Sequence, residues 1–499
     1  MTYKINVKNI QGNILTGFSK DFQSFMFLKF TDTVEAKRWL KDITPEVATV
    51  EELQAFKDLF KLTKKRRGTE LGTVQATWMN LAFTHSGLQA LDVSQHELDS
   101  FPEAFKAGMK ARANEIGDVG TSAPENWIEP LGSKDIHALL IFASDSPIEL
   151  RKYIMRHATI LESYPSIKIE FLEDGMDRAD QPGHEHFGFK DGISQPGIRN
   201  FTQPANPENP DQGIPGQDLL HAGEFVLGYP SQIPEADPEH DGPNPNPGEN
   251  SHSGPIWTVD GSYLVFRRLR QDVPAFRKFV EHTAEKLGIS KDLMGAKIVG
   301  RYASGAPLES SDAQSRDAAM LPQQDPGLRC PFLLDDKNIN NFEFGEDEEG
   351  KIVPRASHIR KTYPRDQGGE ESRTQTHRML RRGIQFGSSY RPQIEGFYPH
   401  GADTEYPQDR GLLFLSYQSD IERQFEFVQQ SWVNNPDFPE KGDGQDPIIA
   451  QSPAGEFKMP LPTQGGCPVH TLSIKHFVTT TGGEYFFQPS IHALCILAG

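Results

Sequence analysis

Ile136-His137-Ala138-Leu139-Leu140-Ile141-Phe142 is an apolar, strand-like run. Pro147 to Leu161 then places Leu150, Ile154 and Ile160 at helical spacing, and Ile167 to Leu172 returns to a strand pattern. Upstream, Ser24 to Phe30 reads as a strand, Val34 to Ile43 as a helix and Thr73 to Phe83 as a strand, followed by helical stretches at Gly87 to Leu91 and Pro102 to Glu115. A βα…βα…β order of this kind is what a ferredoxin-like α+β fold gives, with antiparallel strands backed by helices on one face.

The second half repeats the grammar. Gly261 to Leu269 reads as a strand and Val273 to Leu287 as a helix. Arg378 to Phe386 and Gly411 to Gln418 read as strands, Asp420 to Trp432 as a helix, and Glu484 to Pro489 as a last strand. The expected fold is therefore α+β with two ferredoxin-like domains, duplicated antiparallel sheets with peripheral helices. Between the halves, Pro204, Pro207, Pro210, Pro215, Pro234, Pro238, Pro243, Pro245 and Pro247 alternate with Asn, Gly, Asp and Glu, the composition of a long irregular excursion. Such a loop is either a functional lid or a solvated insertion. The expected organisation is residues 1–200, a connecting region 201–256, and residues 257–499.

With 499 residues, 24% of them charged and 10% aromatic, the chain has ample material for a buried core. The formal net charge of -18 argues against nucleic acid and anionic membranes as partners. No run approaches the roughly 20 apolar residues of a membrane span. Met1 to Leu15 lacks the apolar core of a secretory signal, which leaves an intracellular protein or a mature form as expectations. Cys330, Cys467 and Cys495 are too far apart for a zinc spacing or a disulfide framework.

The stretch richest in chemistry is His184-Glu185-His186-Phe187-Gly188-Phe189-Lys190-Asp191-Gly192-Ile193-Ser194-Gln195-Pro196. Gly192 after Asp191 is a turn signal, and Pro196 holds its predecessor out of the helical region. An aspartate on such a turn, between Phe189 and Ile193, would stand in an apolar wall. An ordinary surface turn is the plainer reading of the dipeptide alone.

Gly188-Phe189-Lys190-Asp191-Gly192 resembles the GxxDG signature of dye-decolourising peroxidases, and further segments resemble that family in the expected order. They are Asn9-Ile10-Gln11-Gly12-Asn13-Ile14-Leu15, Gly223 to Tyr229, Gly300-Arg301-Tyr302 with Ser304 to Pro307, Ala356-Ser357-His358-Ile359-Arg360-Lys361, Leu380-Arg381-Arg382-Gly383-Ile384 and Gly411 to Phe414. The resemblance spans nearly the whole chain and is nearest the large fungal-type branch. It implies a haem peroxidase with haem b in a cavity mainly of the second half. Such an enzyme reduces hydrogen peroxide through a ferryl and radical intermediate, and oxidises dyes, phenols and similar aromatic donors by one-electron steps. Members of the family are extracellular.

Residue by residue, the resemblance implies His358 as the haem-iron ligand and Arg360 as an anchor for a haem propionate. It implies Asp191 as the distal acid–base group and Arg381 as the distal arginine, with Ile193 and Ser194 beside the cofactor. An arginine can only donate hydrogen bonds, which suits the negative charge that develops as a peroxide bond breaks. If the segment is a strand, Arg382 points to the other face. Leu412 and Phe414, two apart on a strand, share a face and would shape the distal pocket. Asp446, in Gly444-Gln445-Asp446-Pro447, matches a late family segment and is the candidate acceptor behind His358. Trp432 is the candidate for electron transfer at the surface. The run Glu346-Asp347-Glu348-Glu349 is a candidate for holding manganese(II) as a further reductant, although a solvated loop is the plainer reading.

Two other readings compete. One is a haem-binding protein of the same fold, carrying haem or releasing its iron with little peroxidase turnover. The other is a mononuclear metal site for hydrolysis built from His184, His186 and Asp191.

Overall fold

In the computed structural model, residues 3–67, 75–190, 192–239, 242–310, 323–329, 339–369, 371–390, 409–452, 456–461 and 470–499 are described. The first half contributes β1 (Phe22–Phe30), β2 (Thr77–Phe83), β3 (Ala138–Ser144) and β4 (Ile167–Met176). The second contributes β5 (Ser262–Gln271), the paired fragments β6 (Leu380–Arg381) and β7 (Ile384–Phe386), β8 (Gly411–Gln418) and β9 (Val478–Gln488). All pairings among them are antiparallel.

Strand order shows the duplication. The first half runs β2-β3-β1-β4, and the second runs β6/β7-β8-β5-β9. In each, the spatial order is second, third, first, fourth, the order of a ferredoxin-like unit. The two sets do not remain separate sheets. β9 pairs with β2 through Phe487 and Phe83, making one nine-stranded sheet. At its other end β4 closes on β7: a Cβ on Gly175 would lie 2.5 Å from Ile384 Cγ2. Arg268 of β5 also reaches Glu173 of β4 at 2.5 Å. The sheet has curled until its two ends approach each other through side chains.

The capping residues explain where the main helices begin. Asp32 accepts from Glu35 N at the start of α2 (Thr33–Ile43), Ser146 from Glu149 N at α3 (Pro147–Leu161), and Asp272 from Ala275 N at α4 (Val273–Leu287). α3 and α4 also carry Pro in the first turn, and Gly288 ends α4 in the left-handed conformation. Because the sheet is covered outside by helices and filled inside by side chains, β1 is buried on both faces. Met26 and Leu28 pack outward with Trp39 and Phe142, while Phe25 and Phe27 pack inward with Phe266 and Phe486.

The N-terminal segment crosses the joint between the halves. Gln11 Nε2 donates to Leu81 O on β2 (2.8 Å) and to Pro489 O just past β9 (2.7 Å), and its Oε1 accepts from Leu81 N (2.9 Å). Asn13 follows in a short helix, α1 (Gly12–Leu15), where its N–H reaches Asn80 and its side chain donates to the Tyr417 hydroxyl.

Several expectations are refined. The strand expected over 378–386 is interrupted at Arg382 and Gly383. The helix expected over 102–115 is broken at Gly108, which has φ 77°. Residues 421–433 are π-wound rather than α-helical. The proline-rich region is not simply a solvated excursion, because Leu219, Leu220, Phe225 and Val226 are buried in the core. Helices at Val50–Arg67 and Ile491–Ala498 (α6) were not anticipated.

Glu484 on β9 is buried and accepts from the backbone N–H groups of Met109 (2.9 Å) and Tyr485 (2.7 Å), and burial pushes its carboxyl up to about 7. A folded-state value raised above the unfolded one contributes stability at low pH that is lost as pH rises through the folded value. Glu484→Gln should therefore gain on the natural protein between pH 5 and pH 8, by up to roughly 3 kcal/mol at the higher pH. Thermal denaturation at the two pH values measures this; parallel pH profiles would contradict it.

Candidate active site

The outer face of the second half's sheet forms one wall of a cavity of about 220 Å³. Arg267, Leu269 and Gln271 of β5 alternate onto that face, as do Leu412 and Phe414 of β8. The register places Leu412 opposite Leu269 and Phe414 opposite Arg267. The intervening Leu413, Leu415 and Tyr417 point into the barrel core. Alternation along a strand thus separates core from cavity.

α5 (His358–Thr362) lies across the cavity and presents His358 and Ile359. His358 Nδ1 is 2.7 Å from Asp446 Oδ2. Asp446 is fully buried, and its other oxygen accepts from Ile448 N (2.7 Å) and Ile449 N (3.0 Å). With the carboxylate as acceptor, Nδ1 carries the hydrogen and Nε2 keeps a lone pair, the state of a metal-binding imidazole.

The loop 184–196 closes the cavity from the side. The Glu185 carboxylate accepts from Phe187 N (2.7 Å), Phe189 N (2.8 Å) and Gln271 Nε2 (2.5 Å), tying the loop to β5. Gly192 takes φ 77°, as the turn requires. Lys190, Gly192, Ile193 and Ser194 all line the cavity. Asp191 itself lies outside the described residues. Arg381 lines the cavity and donates from Nη2 to Ser194 O at 2.9 Å. A second cavity, of about 400 Å³, is walled by parts of residues 13–23 and shares Gly192, Arg381, Leu412 and Phe414 with the first.

Thus His358, Asp446, Arg381, Leu412, Phe414, Ile193 and Ser194 come together around one cavity. Arg360 does not join them. Its guanidinium is buried against Asp347 Oδ2 (3.1 Å), Asp347 O (2.8 Å), Val353 O (2.7 Å) and Gln367 (2.8 Å). Two residues apart on a helix, His358 and Arg360 project about 200° from each other, so both cannot face one cavity. The arginines on the wall that the sequence reading did not assign are Arg267, Arg301, Arg365 and Arg378. Arg301 stood inside a quoted motif segment, so a signal for it existed. Arg301 donates to Ser194 Oγ (3.0 Å) and shares Asn340 Oδ1 with Arg365.

Trp432 is only 5% exposed and so is not a surface residue. It stacks on Phe438 (5.5 Å between centroids) and meets His377 edge-on (5.1 Å), and His377 lines the cavity. Burial lowers the His377 pKa to about 4, leaving it neutral near pH 7. The acidic run is also divided: Asp347 turns inward to Arg360 and to the N–H groups of Ile352 and Val353, while Glu349 pairs with Lys351. Among the described residues no group of three or more His, Cys, Asp or Glu is placed to hold a metal ion. His186 is buried with Nε2 on Phe386 O at 2.8 Å, whereas His184 Nδ1 lies 2.9 Å from Pro182 O, so these two histidines do not converge on a metal site.

Comparison with known proteins settles the family. A model of the DyP dimeric alpha+beta barrel domain matches residues 9–171, and a model of the C-terminal part of Dyp-type peroxidases matches residues 242–442. The chain belongs to the dye-decolourising peroxidases. It is 33% identical to Peroxidase 2 of Mycetinis scorodonius, over 98% of this chain and 87% of that one. It is 31% identical to a dye-decolorizing peroxidase of Auricularia auricula-judae, over 98% and 86%. Among solved structures, an ancestral D-type dye decolorizing peroxidase superposes with a TM-score of 0.79 at 33% identity, covering 99% of both chains. A fungal DyP-type peroxidase from Auricularia auricula-judae gives 0.77 at 30%, covering 100% of both. The deferrochelatase of Yersinia pestis matches only 36% of this chain, so the haem-handling alternative is not favoured. The chain is a peroxidase, and its family implies a haem cofactor.

The residues present fit that group. A flat apolar ring suits a cavity walled by Phe189, Leu269, Ile359, Leu412, Phe414 and Val478, and His358 offers one imidazole backed by a buried carboxylate. Arginines along the wall suit carboxylate substituents.

Asp446→Ala removes the acceptor of His358 and leaves the Ile448 and Ile449 amides unpaired. The expected loss is about 1–3 kcal/mol of stability, measured by chemical denaturation; a loss near zero would mean these bonds are not holding the loop.

Proposed function

We propose that the cavity holds haem b with His358 Nε2 as the protein ligand to iron, and that the enzyme reduces hydrogen peroxide and oxidises dyes, phenols and similar aromatic donors. The observation that carries the reading is one cavity lined both by His358, backed by Asp446, and by Arg381, held by Ser194. When bound, haem supplies the iron at which the peroxide bond breaks and the store for two oxidising equivalents.

The chain's own residues do the rest. Asp446 holds the His358 ring in one tautomer and one orientation, and makes it a stronger donor. Asp191, between Lys190 and Gly192 in the sequence, takes a proton from the near oxygen of the peroxide and returns it to the departing one. Arg381 keeps its charge throughout and donates hydrogen bonds to the oxygen on which negative charge develops. Leu412 and Phe414 limit the distal space to a small peroxide, which the second cavity admits from the side of residues 13–23. Arg301, joined to Ser194, takes over the propionate-anchoring role that the sequence assigned to Arg360.

Arg381→Leu should lower kcat/KM for hydrogen peroxide by about 10²–10³-fold, the usual effect of removing a donor from a developing oxyanion. Stopped-flow mixing with peroxide, together with a haem assay showing that the cofactor is retained, measures this. An unchanged rate would remove Arg381 from the reaction.

A further inference from the structure

Arg381 and Arg382 are neighbours with opposite duties. Arg382 turns away from the cavity that holds His358, towards the second cavity and the C-terminal end of α1. There its Nε donates to Asn13 O (3.1 Å), and its Nη2 to Ile14 O (3.1 Å) and Leu15 O (3.0 Å). A helix as short as α1 cannot satisfy these carbonyls internally. The remaining arm, Nη1, donates to the carbonyl of Arg381 itself at 3.0 Å.

The Arg381 peptide is therefore gripped from two directions. Gln195 accepts from Arg381 N–H (3.1 Å) and donates to Arg381 O (3.2 Å), while Arg382 holds the same carbonyl from the side of α1. Gly17 completes the seat of the guanidinium. Its φ is 68°, and a Cβ there would lie 2.8 Å from Arg382 Nε and 3.0 Å from its Cδ. α1 is itself anchored to both halves of the barrel, because Gln11 and Asn13 bond to Leu81, Asn80, Pro489 and Tyr417.

We infer that residues 12–17, acting through Arg382, form a positioning element for Arg381: the N-terminal segment fixes the backbone from which the distal guanidinium is aimed. The inference rests on the reading that Arg381 serves the peroxide. Arg382 is absent from the wall of the His358 cavity and acts on Arg381 through its backbone carbonyl, so it is a positioning residue. Loosening its seat should therefore act on the peroxide step and leave the donor step alone.

The test uses the haem-loaded protein and the variants Arg381→Leu, Arg382→Met and Gly17→Ala. The last removes no hydrogen-bonding group; it displaces the Arg382 guanidinium, so it carries the test even if Arg382→Met does not fold. Two quantities are read: the dissociation constant of cyanide, which binds at the distal position and accepts the same hydrogen bond, and the rate constant for reaction with hydrogen peroxide. A misaimed hydrogen bond should weaken cyanide binding and slow the peroxide reaction by about tenfold in Arg382→Met and Gly17→Ala, while kcat/KM for the dye changes by less than about twofold. The inference is overturned if Arg381→Leu shows the loss but Arg382→Met and Gly17→Ala keep the natural cyanide affinity and peroxide rate. It is equally overturned if dye and peroxide constants fall together, the mark of general disruption. If Arg381→Leu itself has no effect, the reading of Arg381 fails first and the inference falls with it.

Discussion

One residue pair, Phe487 against Phe83, joins the ladders of the two halves, and Gln11 makes that joint strong by bonding to β2 and to the end of β9 at once. The cavity depends on this joint although neither Phe487 nor Phe83 lines it. Its wall is the outer face of β5, β8 and β9, whose inner faces fill a barrel that exists only when both halves are present. Among the described residues, the N-terminal half contributes no imidazole or guanidinium to the cavity wall. Its contribution is the loop 184–196 and the curvature of the sheet that sets Leu412, Phe414 and Arg381 on one face.

Charge is distributed with a similar division. The cations near the cavity are largely committed to carbonyls and amide oxygens: Arg301 to Gly305 and Ile339, Arg365 to Phe342 and Asn340. Such bonds fix a planar guanidinium in place. Carboxylates also stand beside wall arginines: Asp118 pairs with Arg267 at 2.6 Å, Asp218 lies 3.6 Å from Arg378 and Glu343 3.7 Å from Arg365.

Much of this was legible in the sequence, and for identifiable reasons. Strand and helix periodicity located the βα pairs of both halves, because each half must bury one face of a sheet. The motif segments picked out His358, Arg381, Leu412 and Phe414, which line one cavity. Asp446 was legible only through its motif, since 88 residues separate it from the histidine it supports. The failures have equally physical causes. Arg360 was assigned by its position in a motif, and helix geometry turns it away from His358. The outward place expected for Trp432 ignored the aromatic packing of Phe427, Phe438 and His377 around it. Asp347 looked like part of an exposed acidic run, but a buried Arg360 requires a carboxylate, and Asp347 supplies it. The union of two sheets into one was not legible because Gln11, Leu81 and Pro489 are joined by side-chain bonds that periodicity does not report.

The most direct test of the account is the absorption spectrum of the haem-loaded protein, recorded before and after hydrogen peroxide and again after a dye or phenol, beside the same series for His358→Ala. The account predicts a Soret band that shifts with peroxide and returns with the donor, and a variant that binds haem weakly and gives neither change. A Soret band indifferent to peroxide, or a His358→Ala protein that behaves like the natural one, would contradict it.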